Sequence, residues 1–334
     1  MILNVEFLWM NQSHLSNVKV QYNFFAFILA LFYSAALVYI IPMEGILDRS
    51  NYLVYASSSD VIFARYFVNG LLSVLTNEPV WLFLNVTLSK YLTSEQVVYT
   101  FILVSSFISS YLILKVSPKY FFILLLFLFV PQVISKYVVH LRQGLAISIF
   151  LIGWNINNKW RLLFYILAPL IHSSFFIVLL LLVYTEVLLK LKLANDLRSI
   201  AVLILGLAVG LGLGFITSIL GARQANEYAF ASVSVSGLAF VFWFCILTLF
   251  WLQGRHFLKQ HSFAISGLIF YLSTYFFIEV TGRVFESIII IVLISSVGLT
   301  QWRRSIFIFL LLCFVILSWT LRIEQPWLGW GSVN

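Results

Sequence analysis

Charged residues and cysteine are scarce in this chain. Only 10% of the 334 residues are charged, whereas 62% are hydrophobic and the mean hydropathy is +1.03. A soluble domain carries about 25% charged residues, so this composition excludes an ordinary soluble protein and indicates a chain solvated by lipid. The 2 cysteines, Cys245 and Cys313, both lie inside apolar runs, where a thiol behaves as a small hydrophobe. Neither a disulfide framework nor a zinc site is therefore expected.

Several sequence motifs of enzymes are also missing. The chain contains no HExxH, CxxC, GxSxG or Walker-type element, so protease, redox, serine hydrolase and NTPase functions lack support. Gly206, Gly210 and Gly214 are spaced four apart, which favours close helix packing over a nucleotide loop despite the letters GLGLG at 210–214. The net charge of +8 is scattered one or two residues at a time, so nucleic acid is not an expected partner. No metal or other cofactor is expected.

Apolar runs are what the chain has in abundance. They recur from Phe24 to Leu321, and in hydrocarbon each backbone amide must be paired internally, which favours helices. We predict an all-α, polytopic transmembrane helix bundle of about 10–12 spans, forming a single transmembrane domain over residues 1–334. The expected spans cover residues 21–41, 94–114, 120–138, 143–154, 162–171, 174–189, 200–220, 238–252, 263–280, 284–299 and 305–321.

The stretch 42–93 is long and of mixed polarity. We predict that it forms the first extracytoplasmic loop, with one or two interfacial helices. Its short apolar segment Val80–Leu92 is not expected to span, because every later loop would then invert and the lysine pairs would lie outside. With the N-terminus inside, most of the lysine and arginine residues fall on the cytoplasmic side, as the positive-inside rule requires.

Among the basic residues expected on the outer side against this charge bias, three arginines are the main candidates for binding an anion: Arg142, Arg223 and Arg283. Arg142 and Gln143 open the run RQGLAISIF at the start of a predicted helix, just after His140. A guanidinium fork matches phosphate oxygens, and a helix N-terminus adds free N–H groups, so this pattern predicts an anion site. The alternative for Arg142 is an arginine that snorkels at a helix end.

The other two arginines also have structural alternatives. Arg223 lies in GARQANEYAF, where it could form a solvated ion pair with Glu227. Arg283 lies in GRVFESIII, where Glu279 and Glu286 stand at helix spacing from it.

A histidine marks the end of another short apolar segment. NNKWRLLFYILAPLIHSS supplies a basic turn and then His172 and Ser173 at the far end of the predicted helix. An ionisable side chain at membrane depth is a functional candidate, although a histidine hydrogen-bonded between helices is the alternative. Short helices that end at polar residues indicate a site below the membrane surface, with His172 and Arg142 at its floor.

Taken in order, these motifs resemble the EpsG family of Wzy-like polysaccharide polymerases. The run Arg142–Ser173 has the family's RQ, LA, basic turn and HS elements, and ILDRSNYLVY places Asp48 and Tyr52 in a D-x-x-x-Y pattern. NEPVWLFL places Glu78 in the family's E-P element, and Arg283 stands where such proteins carry an arginine before a late span. One departure is that Val80 and Trp81 follow the E-P element, where a glycine is common.

The resemblance implies a GT-C-like polymerase without a cofactor, facing the periplasm from the bacterial inner membrane. It implies transfer of a growing glycan from undecaprenyl pyrophosphate onto a lipid-linked repeat unit. Membrane lipids would surround the protein, and a chain-length regulator and a flippase would be its pathway partners. The base that deprotonates the acceptor hydroxyl would be Asp48, Glu78 or His172. The residues expected to bind pyrophosphate are Arg142, Gln143, Arg283 and Arg223.

Other functions remain open at this point. An O-antigen ligase uses the same donor lipid. A flippase or transporter for the same lipid also needs many helices and cationic groups, although no internal repeat is evident in this chain. A non-catalytic membrane scaffold is the third alternative.

Overall fold

The computed structural model describes residues 12–219, 237–277 and 280–331. Helices supply the regular structure of these ranges, which contain no strand, and the predicted all-α polytopic bundle is confirmed. The helices are α1 (Gln12–Ile40), α2 (Arg49–Val68), α3 (Leu71–Thr76), α4 (Pro79–Leu88), α5 (Ser94–Leu114), α6 (Phe121–Leu128), α7 (Pro131–Val138), α8 (Leu141–Asn155), α9 (Arg161–Ile171), α10 (Ser174–Lys190), α11 (Asn195–Ile219), α12 (Leu238–Leu252), α13 (Arg255–Gln260), α14 (Ser262–Thr274), α15 (Val280–Glu286), α16 (Ile289–Ser296) and α17 (Gln301–Ile323).

Four of the described helices are long and apolar enough to cross a membrane by length and composition. They cover Lys19–Ile40, Ser94–Leu114, Asn195–Gly212 and Gln301–Ile323. A bent pair, α6 with α7, gives a fifth if it is counted as one span. The other segments predicted to span are shorter helices or are interrupted.

The interruptions correct the predicted spans. Residues 120–138 were expected to form one helix, but α6 and α7 meet at an angle of 67°. Pro131 has no N–H to donate and disfavours helical geometry at Val130, which is extended with ψ at 122°. The expected spans 263–280 and 284–299 are also wrong in extent, because α14 ends at Thr274 and a break at residues 287–288 separates α15 from α16.

Residues 42–93 form three helices rather than a loop with one or two. The last of them, α4, packs into the core, where Trp81 and Leu82 are buried. The Trp81 ring contacts Tyr52 of α2 and Phe101 of α5, with ring centroids 5.7 and 4.3 Å away. Trp81 thus fixes the start of α4 against the bundle.

Helices α7 and α8 pack closely at the corner where the chain turns between them. A Cβ added at Gly144 would lie 2.2 Å from the backbone carbonyl oxygen of Lys136, so only glycine lets α8 pack this tightly on α7. On the other side of the corner, Arg49 donates from Nη2 to the carbonyl of Val138 at 2.8 Å. These contacts fix the direction in which α8 presents its first residues.

Candidate functional site

Glu78 is the centre of the candidate site. It precedes α4 and is only 4% exposed, and its φ of 60° lies in the left-handed region. Pro79 disfavours right-handed helical geometry at the residue before it, and left-handed geometry costs a non-glycine residue about 1–2 kcal/mol. Such strain persists only where the surroundings hold it, and it is concentrated at functional sites.

Three donors from distant parts of the chain hold the Glu78 carboxylate. Arg142 donates from Nη1 to Oε2 at 2.5 Å, and the Nδ1 of His172 lies 2.8 Å from Oε1. The backbone N–H of Ser173 also donates to Oε1, at 3.3 Å. The guanidinium of Arg142 stands 5.2 Å from the centroid of the Tyr55 ring, a cation–π contact that fixes its plane. One carboxylate therefore joins α4, α8 and the turn between α9 and α10.

The contact with Glu78 determines which ring nitrogen of His172 carries the proton. A carboxylate only accepts hydrogen bonds, so the Nδ1 of His172 carries the proton and its Nε2 carries the lone pair. Burial lowers the pKa of His172 below 6.5, outweighing the hydrogen bond that the ring donates to Glu78, which raises it. The ring is consequently neutral near pH 7, with Nε2 able to accept a proton.

Asp48 forms a second pair beside this cluster. It precedes α2 with a φ of 60°, and its Oδ2 lies 3.5 Å from the Nδ1 of His140. The hydrogen bond from His140 lowers the pKa of Asp48, and the charges on Arg142 and Arg283 lower it further. The carboxylate of Asp48 therefore lies within electrostatic reach of both Arg142 and Arg283.

Gln143 has a different surrounding from Arg142. It is 1% exposed, and its Nε2 donates to the carbonyl of Arg283 at 2.5 Å and to Oγ of Ser287 at 2.8 Å. Its Oε1 accepts from Nζ of Lys136 at 3.2 Å. The contact of Gln143 with pyrophosphate stays a prediction.

The remaining predicted residues divide into two groups. Arg283, on α15, lies next to the site, because its backbone carbonyl accepts a hydrogen bond from Gln143, the residue that follows Arg142. Arg223 lies outside the described residues, as do its possible partner Glu227 and the Glu279 considered for Arg283. Glu286, the other carboxylate considered for Arg283, forms an ion pair with Lys136.

Three residues near the site were not predicted from the sequence: Lys136, Tyr55 and Ser287. Lys136 offered a usable signal, since a lysine inside an apolar run is a functional candidate at membrane depth. Tyr55 and Ser287 offered none, because tyrosine and serine are unremarkable in such helices. Within the described ranges, no group of three or more His, Cys, Asp or Glu side chains could hold a metal ion.

The fold and the site together define a polytopic membrane protein in which a buried carboxylate contacts a partly buried imidazole and a partly buried guanidinium. The EpsG family model matches residues 49–328, and the chain belongs to this family. Membership supports a membrane glycosyltransferase-type polymerase in general. The matched range includes Glu78, Arg142, His172 and Arg283 and begins one residue after Asp48. Comparisons with curated proteins and with solved structures give no match.

Proposed function

We propose that this protein polymerises lipid-linked glycan repeat units. In this reaction a growing glycan moves from undecaprenyl pyrophosphate onto the sugar of a second lipid-linked repeat unit. We further propose that the site faces the periplasm from the bacterial inner membrane. The orientation draws its support from the charge bias of the loops.

The observation that carries this proposal is the Glu78–His172 contact with Arg142 on the opposite carboxylate oxygen. Glu78 orients the ring, so His172 is poised as a general base rather than as a structural histidine. Because both oxygens of Glu78 already accept hydrogen bonds from the protein, we favour His172 as the base and Glu78 as its partner. We thus take His172 from the three candidate bases, Asp48, Glu78 and His172, that the sequence left open.

The reaction joins two sugars and releases the lipid pyrophosphate. The acceptor hydroxyl oxygen forms a bond to the anomeric carbon of the growing glycan, while the bond from that carbon to the pyrophosphate oxygen breaks. The hydroxyl proton passes to Nε2 of His172 and later to solvent, and undecaprenyl pyrophosphate leaves with the electron pair.

The arginines act on the leaving group. Negative charge grows on the pyrophosphate as the anomeric bond breaks, and fixed cations in a water-poor site stabilise it more strongly than water does. Arg283 is the first candidate for this contact. Arg142 also has a buried Nε without a partner among the described residues, although its Nη1 is committed to Glu78. Asp48, beside both guanidinium charges, would limit their repulsion before the substrate arrives.

The test is extension of a lipid-linked repeat unit by the purified protein in lipid nanodiscs. The substrate is extracted from cells of the source organism that lack this gene, and chain length is measured by gel electrophoresis. We expect wild type to make long chains and His172→Gln to make them at least about 100-fold more slowly, the lower end for removal of a general base. His256→Gln is the matched control, because His256 is an exposed histidine away from the site.

Other outcomes would reject the proposal. If His172→Gln made chains of wild-type length at the wild-type rate, His172 would be excluded as the base. Movement of the substrate between leaflets without extension would identify a flippase, and polymer transferred to lipid A core would identify a ligase. Full activity of all site variants in cells would support a scaffold.

A further inference from the structure

Lys136 is a fully buried lysine on α7. It is 1% exposed, and its Nζ forms an ion pair with Oε2 of Glu286, which lies 150 residues later on α15. Removing a lysine from water has a penalty of several kcal/mol, which is offset only by good partners. Lys136 has a second partner, the Oε1 of Gln143 on α8. The lysine therefore joins the consecutive helices α7 and α8 to α15, which lies about 150 residues later.

A chain of hydrogen bonds extends from this lysine towards the site. Gln143 accepts from Lys136 and donates to Oγ of Ser287, and that hydroxyl lies 3.1 Å from Oγ of Ser174. Ser174 follows Ser173, whose N–H donates to Glu78. These hydrogen bonds thus connect Lys136 to Ser174, the first residue of α10, which follows the His172–Ser173 turn.

The same network also holds the segment that carries Arg283. Helix α15 has 7 residues and is separated from α16 by a break, and a helix this short is not stable alone. Its position depends on its bonds to neighbours, which include Lys136 to Glu286 and Gln143 to the carbonyl of Arg283. Arg283 lies three residues before Glu286, so the two contacts fix the same turn of helix.

We propose that Lys136 is a positioning residue, which acts through Glu286 and Gln143 to hold Arg283 and the His172–Ser173 turn in place for the reaction. This inference rests on the proposed polymerase function. In this role Lys136 affects the reaction rate through the residues that it holds, and not by contact with the substrate.

The test compares single and double substitutions in nanodiscs. Lys136→Met leaves the Glu286 carboxylate without its partner, so we expect lower thermal stability and a kcat reduced by about 10-fold or more, since small misplacements of a binding group are costly. In the double variant Lys136→Met with Glu286→Met, two apolar side chains replace the ion pair, and stability should return because such replacements are often neutral or stabilising. The kcat should stay low, with little change in KM.

A purely structural lysine gives a different result. In that case kcat recovers together with thermal stability in the double variant, which would overturn the proposal. Lys136→Arg keeps the charge and should recover part of the kcat. Lys259→Met is the matched control, because Lys259 is exposed on α13, and it should match wild type.

Hydrogen–deuterium exchange separates this inference from the proposed function. Measured without substrate, amide exchange of residues 280–287 should be faster in the double variant than in wild type, while exchange of α5 stays unchanged. Unchanged exchange at 280–287 would overturn the positioning role. If wild type made no polymer, the proposed function would fail, whereas the exchange result would still decide whether Lys136 holds this segment.

Discussion

Glu78 and His172 are 94 residues apart in the chain, yet the Nδ1 of the histidine lies 2.8 Å from Oε1 of the carboxylate. The contact forms because α4 packs into the core beside α9, which ends one residue before His172. Arg142 reaches the other oxygen from the start of α8. A carboxylate, an imidazole and a guanidinium are thereby held in a fixed order.

The first prediction concerns the charge on Glu78. Glu78→Gln keeps the shape of the side chain, but its amide must turn an N–H group towards either Arg142 or the Nδ1–H of His172. We expect polymerisation to fall by about 100-fold or more, because His172 loses the partner that sets its tautomer. Chain extension and melting temperature are measured together, with Glu95→Gln, at an exposed glutamate, as control.

The corresponding alanine variant tests stability. Glu78→Ala leaves the partly buried Arg142 cation without its carboxylate, and we expect a loss of stability below the ~3–5 kcal/mol that breaking a fully buried pair costs. An unfolding free energy equal to wild type would contradict the Glu78–Arg142 ion pair.

The second prediction concerns pH. Burial lowers the pKa of His172, so its neutral, proton-accepting form persists below pH 6.5. As pH falls through this lowered pKa the ring becomes protonated, and kcat/KM should decline with an acid limb below 6.5. An acid limb centred above 6.5 would argue against His172 as the base.

His140 must be excluded as the origin of that limb, since burial lowers its pKa as well. His140→Gln removes this group and its contact with Asp48 while leaving His172 in place. The acid limb should therefore remain in the His140→Gln profile, even if the maximal rate changes.

The third prediction concerns the shape and charge of Arg142. Arg142→Ala should shorten the surface glycan to single repeat units at an unchanged protein level. Arg142→Lys should recover only part of the activity, because lysine keeps the charge but loses the planar fork that faces Glu78 and Tyr55. Arg255→Ala, at an exposed arginine, should leave chain length unchanged. Long chains from Arg142→Ala would refute its role in the site.

The fourth prediction concerns the α7–α8 corner. In Gly144→Ala the new methyl group would meet the Lys136 carbonyl oxygen, so the helices must move apart, with a loss of about 1–3 kcal/mol in stability. Gly282→Ala is the matched control, because nothing lies within 4 Å of its added Cβ. Equal melting temperatures for the two variants would show that the close contact does not exist.

Much of the site could be predicted from the sequence because the surroundings are so apolar. In a chain with 10% charged residues, a histidine after an apolar run or an arginine at a helix start stands out, since an ionisable group at this depth needs a partner. This reasoning singled out Arg142, Gln143, His172 and Arg283, whereas Asp48 and Glu78 were named through the resemblance to the EpsG family. The sequence could not show that the Gln143 amide bonds to Lys136 and Ser287.

The sequence by itself determined that the chain is a helical membrane bundle, because apolar runs of this length leave the backbone no partner but itself. Only the tertiary structure decided which polar groups pair: Glu78 with His172 and Arg142, Asp48 with His140, and Lys136 with Glu286. Such pairings join residues up to 150 positions apart, so they follow from where helices break and how closely they pack. Hydropathy describes how each segment is solvated, and it contains no information about the neighbour that each segment meets.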